Sequence, residues 1–187
     1  MKNTVAALMT AVSLAAFASQ AQAEQVYNPY IGINYNYSDA NAKGLKPYYN
    51  SASVNLGTSY NRYFGTELFY QYSDQYGKSN ATDKFSNSFQ AYGLDLMGYL
   101  PLGCYDVWSL IGTVGIGEYK FRNKELTAGE GRHKYRDSGY GYRAGLGVQY
   151  NIDSNWSIRT LARYVGFDKV EGYDHMMEYS AGIKYNF

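Results

Sequence analysis

Cysteine is nearly absent. The 187-residue chain has one, Cys104, so no internal disulfide can staple it. Proline is almost as scarce, with three residues, which removes the main obstacle to long, fully paired strands. With only two histidines, His133 and His175, there is little material for a metal centre or a general base. Charge of one sign is also missing: 17 basic residues face 16 acidic ones. That balance argues against nucleic acid as a partner and against a polybasic membrane patch. Past residue 23 no apolar run approaches the ~20 residues a membrane helix needs. The mean hydropathy of −0.45 would ordinarily place the chain in water.

The first 23 residues stand apart. Lys2 gives a positive start, Val5–Ala18 is apolar and uncharged, and Ala21-Gln22-Ala23 is a small-x-small cleavage site. This is the pattern of a secretory signal, so 1–23 is read as a signal peptide and 24–187 as the mature domain. The leader takes one basic residue with it, leaving 16 of each sign. No cysteine follows the apolar run, so lipoprotein processing is not expected. An exported fold without disulfides needs another source of stability. A β-barrel in a bilayer supplies one, because closure pairs every backbone group.

What is abundant fits that reading. There are 23 tyrosines and 20 glycines. Tyrosine joins an apolar ring to a wet hydroxyl and suits membrane–water boundaries. Glycine suits a crowded barrel interior. Barrels also escape hydropathy averages, since only alternate residues face lipid.

Alternation recurs eight times: about 28–38, 48–61, 63–73, 88–100, 107–121, 138–151, 156–167 and 176–187. The segment at 138–151 is the cleanest. Tyr140, Tyr142, Ala144, Leu146, Val148 and Tyr150 lie on one face, against Gly141, Arg143, Gly145, Gly147, Gln149 and Asn151. A soluble calyx requires an apolar interior, and Arg143 and Gln149 exclude it there. Connections alternate in length. Asp39–Lys46, Asp74–Asn87, Arg122–Asp137 and Asp168–His175 read as long polar loops. Asn61-Arg62, Pro101–Asp106 and Asp153-Ser154-Asn155 read as short turns. The expected fold is therefore all-β: an eight-stranded antiparallel up-and-down transmembrane barrel. Its short turns and both termini are expected in the periplasm, and its long loops outside.

The last strand, Tyr179–Phe187, puts Tyr179, Ala181, Ile183, Tyr185 and Phe187 on one face. Ser180, Gly182, Tyr185 and Phe187 resemble the C-terminal insertion signal of outer-membrane barrels. More broadly, the mature chain resembles the transmembrane domain of the OmpA-like and opacity-type outer-membrane proteins. Tyr63–Tyr70 resembles the family's strand with an inward glutamate, Glu67. Leu146–Tyr150 with Ile158-Arg159 resembles its hairpin with an inward arginine, Arg159. The resemblance implies an interior salt-bridge gate at Glu67 and Arg159, with Gln149 where the family has a second acid. It also implies outer-membrane localisation, contact with lipid and lipopolysaccharide, handling by the barrel-assembly machinery, and a monomer.

The inward charges expected from parity are Glu67, Asp95, Arg143, Arg159, Arg163, Glu178 and Lys184. Eight strands leave room only for side chains, so these residues should form a paired polar plug; the alternative is an ion or small-solute channel gated by the same pairs. Lipid A modification is the third reading. It needs a nucleophile beside a base, but Gly131-Arg132-His133-Lys134-Tyr135 lacks a His-x-Ser spacing and no serine adjoins His175. No catalysis, cofactor or metal is expected, and Cys104 is an incidental thiol. Specific function then falls to the outer loops, where an extracellular ligand would bind. The loop at 122–137 carries Lys124, Arg132, His133, Lys134 and Arg136 among acids, and its cations suit lipopolysaccharide phosphates. The principal expectation is a structural and surface-interaction barrel of a Gram-negative envelope.

Overall fold

The computed structural model describes residues 27–42, 48–73, 76–79, 83–103, 107–127, 131–168 and 173–187. Nine strands follow in chain order: β1 (Asn28–Ala42), β2 (Tyr48–Ser59), β3 (Phe64–Ser73), β4 (Tyr76–Ser79), β5 (Asp83–Leu102), β6 (Trp108–Thr127), β7 (Gly131–Asn151), β8 (Trp156–Asp168) and β9 (Tyr173–Asn186). Each strand pairs antiparallel with its sequence neighbour, except that β3 and β4 both pair with β5, so these two make one stave. The eight staves close because β1 pairs with β9, from Tyr30↔Asn186 to Ala42↔Tyr173. Closure leaves no edge in the membrane-crossing part, which a bilayer requires. No helix long and apolar enough to cross a membrane occurs among the described residues; the strands do the crossing.

The pleat decides which way each residue faces. Along β8 burial alternates strictly from Trp156 to Val165. The exposed set carries the apolar residues: Ile33, Leu56, Leu68, Leu96, Val114 and Leu146, the last 74% exposed. The buried set carries the charges: Glu67, Asp95, Arg143, Arg159, Arg163, Glu178 and Lys184. This inversion of the soluble rule is the lipid-facing signature anticipated from 138–151.

The turns at one end are built by their own side chains. Asn61 Oδ1 accepts from the backbone N–H of Tyr63 (2.7 Å) and Phe64 (2.8 Å). Asp153 Oδ1 accepts from Asn155 N (2.8 Å) and Trp156 N (2.7 Å). Such local bonds let Asn and Asp reverse the chain in few residues. Aromatic pairs ring this end: Trp108 on Tyr150 at 4.8 Å, Trp156 on Tyr185 at 4.9 Å and Tyr185 on Phe187 at 5.3 Å.

At the other end the expected loops are mostly strand. β5 begins at Asp83, β6 runs on to Thr127 and β7 begins at Gly131, inside segments read from sequence as the loops 74–87 and 122–137. The reason is physical. A strand that rises past the hydrocarbon core no longer needs an apolar face, so apolar alternation stops in the sequence, while the ladder pairing continues from the strand below. β5 and β6 have 20 residues each, which at ~3.3 Å per residue and ~45° tilt rise roughly 45 Å against a ~30 Å hydrocarbon core. β4 with the outer ends of β5, β6 and β7 therefore forms a four-stranded flap standing above the barrel. From Gly131 to Gly139, β7 pairs with β6 alone among the described residues, β8 joining at Tyr140↔Asp168. Cys104 lies outside the described residues, as does the leader read at 1–23.

Candidate functional site: the filled lumen and the outer flap

Three layers fill the lumen. Nearest the short turns, Glu67 on β3 meets Arg159 on β8: Arg159 Nη1 donates to Oε2 at 2.5 Å and Nη2 to Oε1 at 3.1 Å. Tyr30 Oη donates to the same carboxylate at 3.0 Å and Asn55 Nδ2 at 2.6 Å. Asn34 extends the set, donating to Asn55 Oδ1 at 2.6 Å. The fork-to-fork geometry is the strong form of an ion pair, and the flanking donors satisfy lone pairs that burial would otherwise leave unmet.

A second charged layer lies further along. Arg143 Nε donates to Asp95 Oδ1 at 2.7 Å, and Arg143 Nη2 bonds Asp95 Oδ2. Arg163 Nη1 reaches Glu178 Oε1 at 3.0 Å and Ser180 Oγ at 3.1 Å, while Gln71 Nε2 donates to Glu178 Oε2 at 2.7 Å. Arg143 Nη1 stands 4.0 Å from Glu178 Oε1, joining the two pairs. The Arg143 guanidinium also covers the Phe69 ring. Phe69, an aromatic residue on the buried face of β3, thus serves as a flat partner for a cation. Glycine makes room here: a Cβ on Gly115 would overlap the Asp95 carboxylate.

The third layer is apolar and is not among the expectations drawn from sequence. Tyr49, Phe89, Tyr119 and Phe121 are buried with Ala40, Ala91, Val165 and Met176. Phe89 meets Tyr49 edge-on at 5.3 Å, and Phe167 meets Tyr119 and Phe121 at 5.1 and 5.6 Å. A smaller apolar cluster, Met97, Tyr99, Ile111 and Leu161, also faces inward. The lumen is thus filled by charged pairs and by rings. Parity carried the signal, since Phe89, Tyr119 and Phe121 share the odd, inward register of Asp95, Gly115 and Gly117.

All seven inward charges named from sequence are buried, and six of them form three ion-paired sets: Glu67 with Arg159, Asp95 with Arg143, and Glu178 with Arg163. Lys184 is different. Its ammonium sits over the rings of Tyr30 (4.2 Å) and Tyr99 (5.4 Å). Gln149, at the position where the resemblance has an acid, instead donates to Asn151 Oδ1 at 2.8 Å. Of the terminal set, Ser180 and Gly182 face inward and Phe187 is exposed. A Cβ on Gly182 would overlap Asn34 Oδ1 and the Ile33 carbonyl, so glycine lets β9 and β1 meet. The histidines are apart in the fold: His133 is opposite Glu125 on β7, and His175 stacks on Tyr164 at 5.5 Å.

The flap separates charge by face. Opposed residues in a ladder share a face, and the register sets Arg122 opposite Arg136, Lys124 opposite Lys134 and Leu126 opposite Arg132. On β5, Lys84 is opposite Leu126. These register positions share the parity of Tyr140 and Tyr142, which are exposed lower on the same strand. At the foot of this face, Lys120 lies 3.4 Å from Glu118 and over the Tyr92 ring at 4.9 Å. Above Glu118, among the described residues, the register positions of this parity on β5, β6 and β7 are held by Lys84, Lys120, Arg122, Lys124, Arg132, Lys134 and Arg136 and by no acid. Asp83, Glu125 and Asp137 hold register positions of the opposite parity.

A closed antiparallel barrel with an apolar outside, a charged inside and aromatic rims defines a transmembrane β-barrel of the outer-membrane type. The chain belongs to the outer membrane protein beta-barrel domain family, whose model matches residues 4–187. No curated protein matches it. Among solved structures, it is similar to the attachment invasion locus protein Ail of Yersinia pestis, solved in complex with the heparin analogue sucrose octasulfate. That match has 17% identity and a TM-score of 0.63, covering 86% of this chain and 99% of that one. Neisserial surface protein A is similar at 17% identity and TM-score 0.64, covering 85% and 97%. A major outer membrane protein from Thermus thermophilus is similar at 9% and 0.65, covering 87% and 100%. At these identities the likeness concerns the fold. Family and fold place the protein in the outer membrane.

Proposed function

We propose that this barrel is a structural and surface-interaction protein whose flap holds the phosphorylated saccharide headgroups of the outer leaflet. The charge separation of the flap carries this reading. Besides Lys120, which pairs with Glu118, six cations and no acid hold the register positions that share the parity of the lipid-facing Tyr140 and Tyr142, and in this reading they stand at the height where lipopolysaccharide presents its phosphates. Each Lys or Arg near such an anionic surface contributes about 1 kcal/mol. The Yersinia barrel, solved with a sulfated sugar analogue, is an instance of this fold in complex with a polyanion.

The test is binding of purified, folded protein to lipopolysaccharide before and after enzymatic dephosphorylation. Arg132→Ala/Lys134→Ala/Arg136→Ala should weaken binding to the phosphorylated form roughly 100-fold, from about 1 kcal/mol per cation. Dephosphorylated lipopolysaccharide should bind wild type and variant alike. Equal binding of the two proteins to the phosphorylated form would remove the proposal. Export by cleavage after Ala23 belongs to the same reading, and N-terminal sequencing of the membrane-embedded protein should begin at Glu24.

A channel is the second reading, favoured by the exchangeable carboxylates and guanidinia of the charged layers. The ring layer of Tyr49, Phe89, Tyr119 and Phe121 stands against it, because none of these side chains swings aside without leaving a packed contact. No step of the proposed role is catalytic.

A further inference from the structure

Among the described residues the buried charges do not balance: three carboxylates, Glu67, Asp95 and Glu178, face four cations, Arg143, Arg159, Arg163 and Lys184. The surplus is Lys184. It is 3% exposed, and among the described residues its ammonium makes no ion pair and donates no hydrogen bond, resting on two tyrosine rings. A buried ammonium without a counter-charge is costly.

Lys184 lines a cavity of about 620 Å³ at the short-turn end, the end that faces the periplasm in barrels of this type. That volume falls in the range of small-ligand sites. The buried Glu67–Arg159 pair stands deeper in the lumen, so the cavity is a vestibule at its end. Its wall also holds Gln149, 5% exposed, whose Nε2 is used by Asn151 while Oε1 has no partner. The vestibule therefore presents one buried cation and one buried, unfilled acceptor. Asn28 and Asn61 also line it, and exposed Arg62 and Asp153 add one charge of each sign to its wall.

We propose that this vestibule binds the carboxylate end of a peptide or acylated amino acid from the periplasmic side. The carboxylate would neutralise Lys184, and the adjoining amide N–H would donate to Gln149 Oε1. The site is independent of the flap, and failure of either proposal leaves the other standing.

The test is NMR titration of the folded mature chain, reading the side-chain amide of Gln149. N-acetyl-alanyl-alanine should give a saturable shift, and its C-terminal amide should bind at least about tenfold more weakly. Lys184→Met, its fold checked by heat-dependent gel mobility, should lose the same factor. Absence of a saturable shift, or equal binding of acid and amide to the wild type, would overturn the site even if the variant failed to fold. Inorganic phosphate binding as tightly as the acylated dipeptide would contradict the role of Gln149.

Discussion

The Glu67 carboxylate accepts four hydrogen bonds, from Tyr30, from Asn55 and from two nitrogens of Arg159. Removing it leaves a guanidinium 1% exposed with a single neutral partner, Asn34 at 3.3 Å. Glu67→Ala should therefore destabilise the barrel by about 3–5 kcal/mol, read by urea unfolding in detergent. Glu67→Leu with Arg159→Met should recover most of that loss, because apolar replacement of a whole buried pair is close to neutral. If the double variant is no more stable than Glu67→Ala, the pair has been misjudged as a plug. Gly115→Val belongs to the same scale. Its side chain would enter the space of the Asp95 carboxylate, and overpacking of this kind costs about 1–3 kcal/mol.

Among the elements, the terminal strand β9 holds the barrel shut by pairing with both β1 and β8. Phe187, 70% exposed, adds nothing to the lumen, so Phe187→Ala should lower the amount of protein reaching the outer membrane while leaving the unfolding midpoint of the assembled fraction unchanged. A normal membrane level would show that the aromatic terminus is no insertion signal. The strands themselves were legible wherever one face met lipid and the other the lumen, since period-two alternation is the direct record of that division. Legibility ended where the division ends. In 83–87, 123–127 and 131–136 the apolar alternation is gone, and charged residues read as loop although the ladder continues. Inward charges could be named from parity alone. Their pairing could not, because Glu67 and Arg159 are 92 residues apart and only the register brings them together. The ring layer was hidden for a different reason: Phe89 and Phe121 fit the lipid face by chemistry, and only strict counting from Asp95 puts them inside.

Taken whole, the molecule is a closed sheet whose stability comes from ladder bonds, a lipid-facing belt and a filled interior. Unheated protein should run faster on a detergent gel than boiled protein, because the closed ladder resists detergent until heat opens it. The filled interior also separates scaffold from channel. Single-molecule recording in planar bilayers is decisive for this: purified wild-type protein should give no stepwise conductance, and Phe89→Ala with Phe121→Ala, which thins the ring layer, should raise it. Regular steps from the wild type that disappear in Glu67→Ala or Arg159→Ala would contradict the closed lumen and make the charged layer a gate.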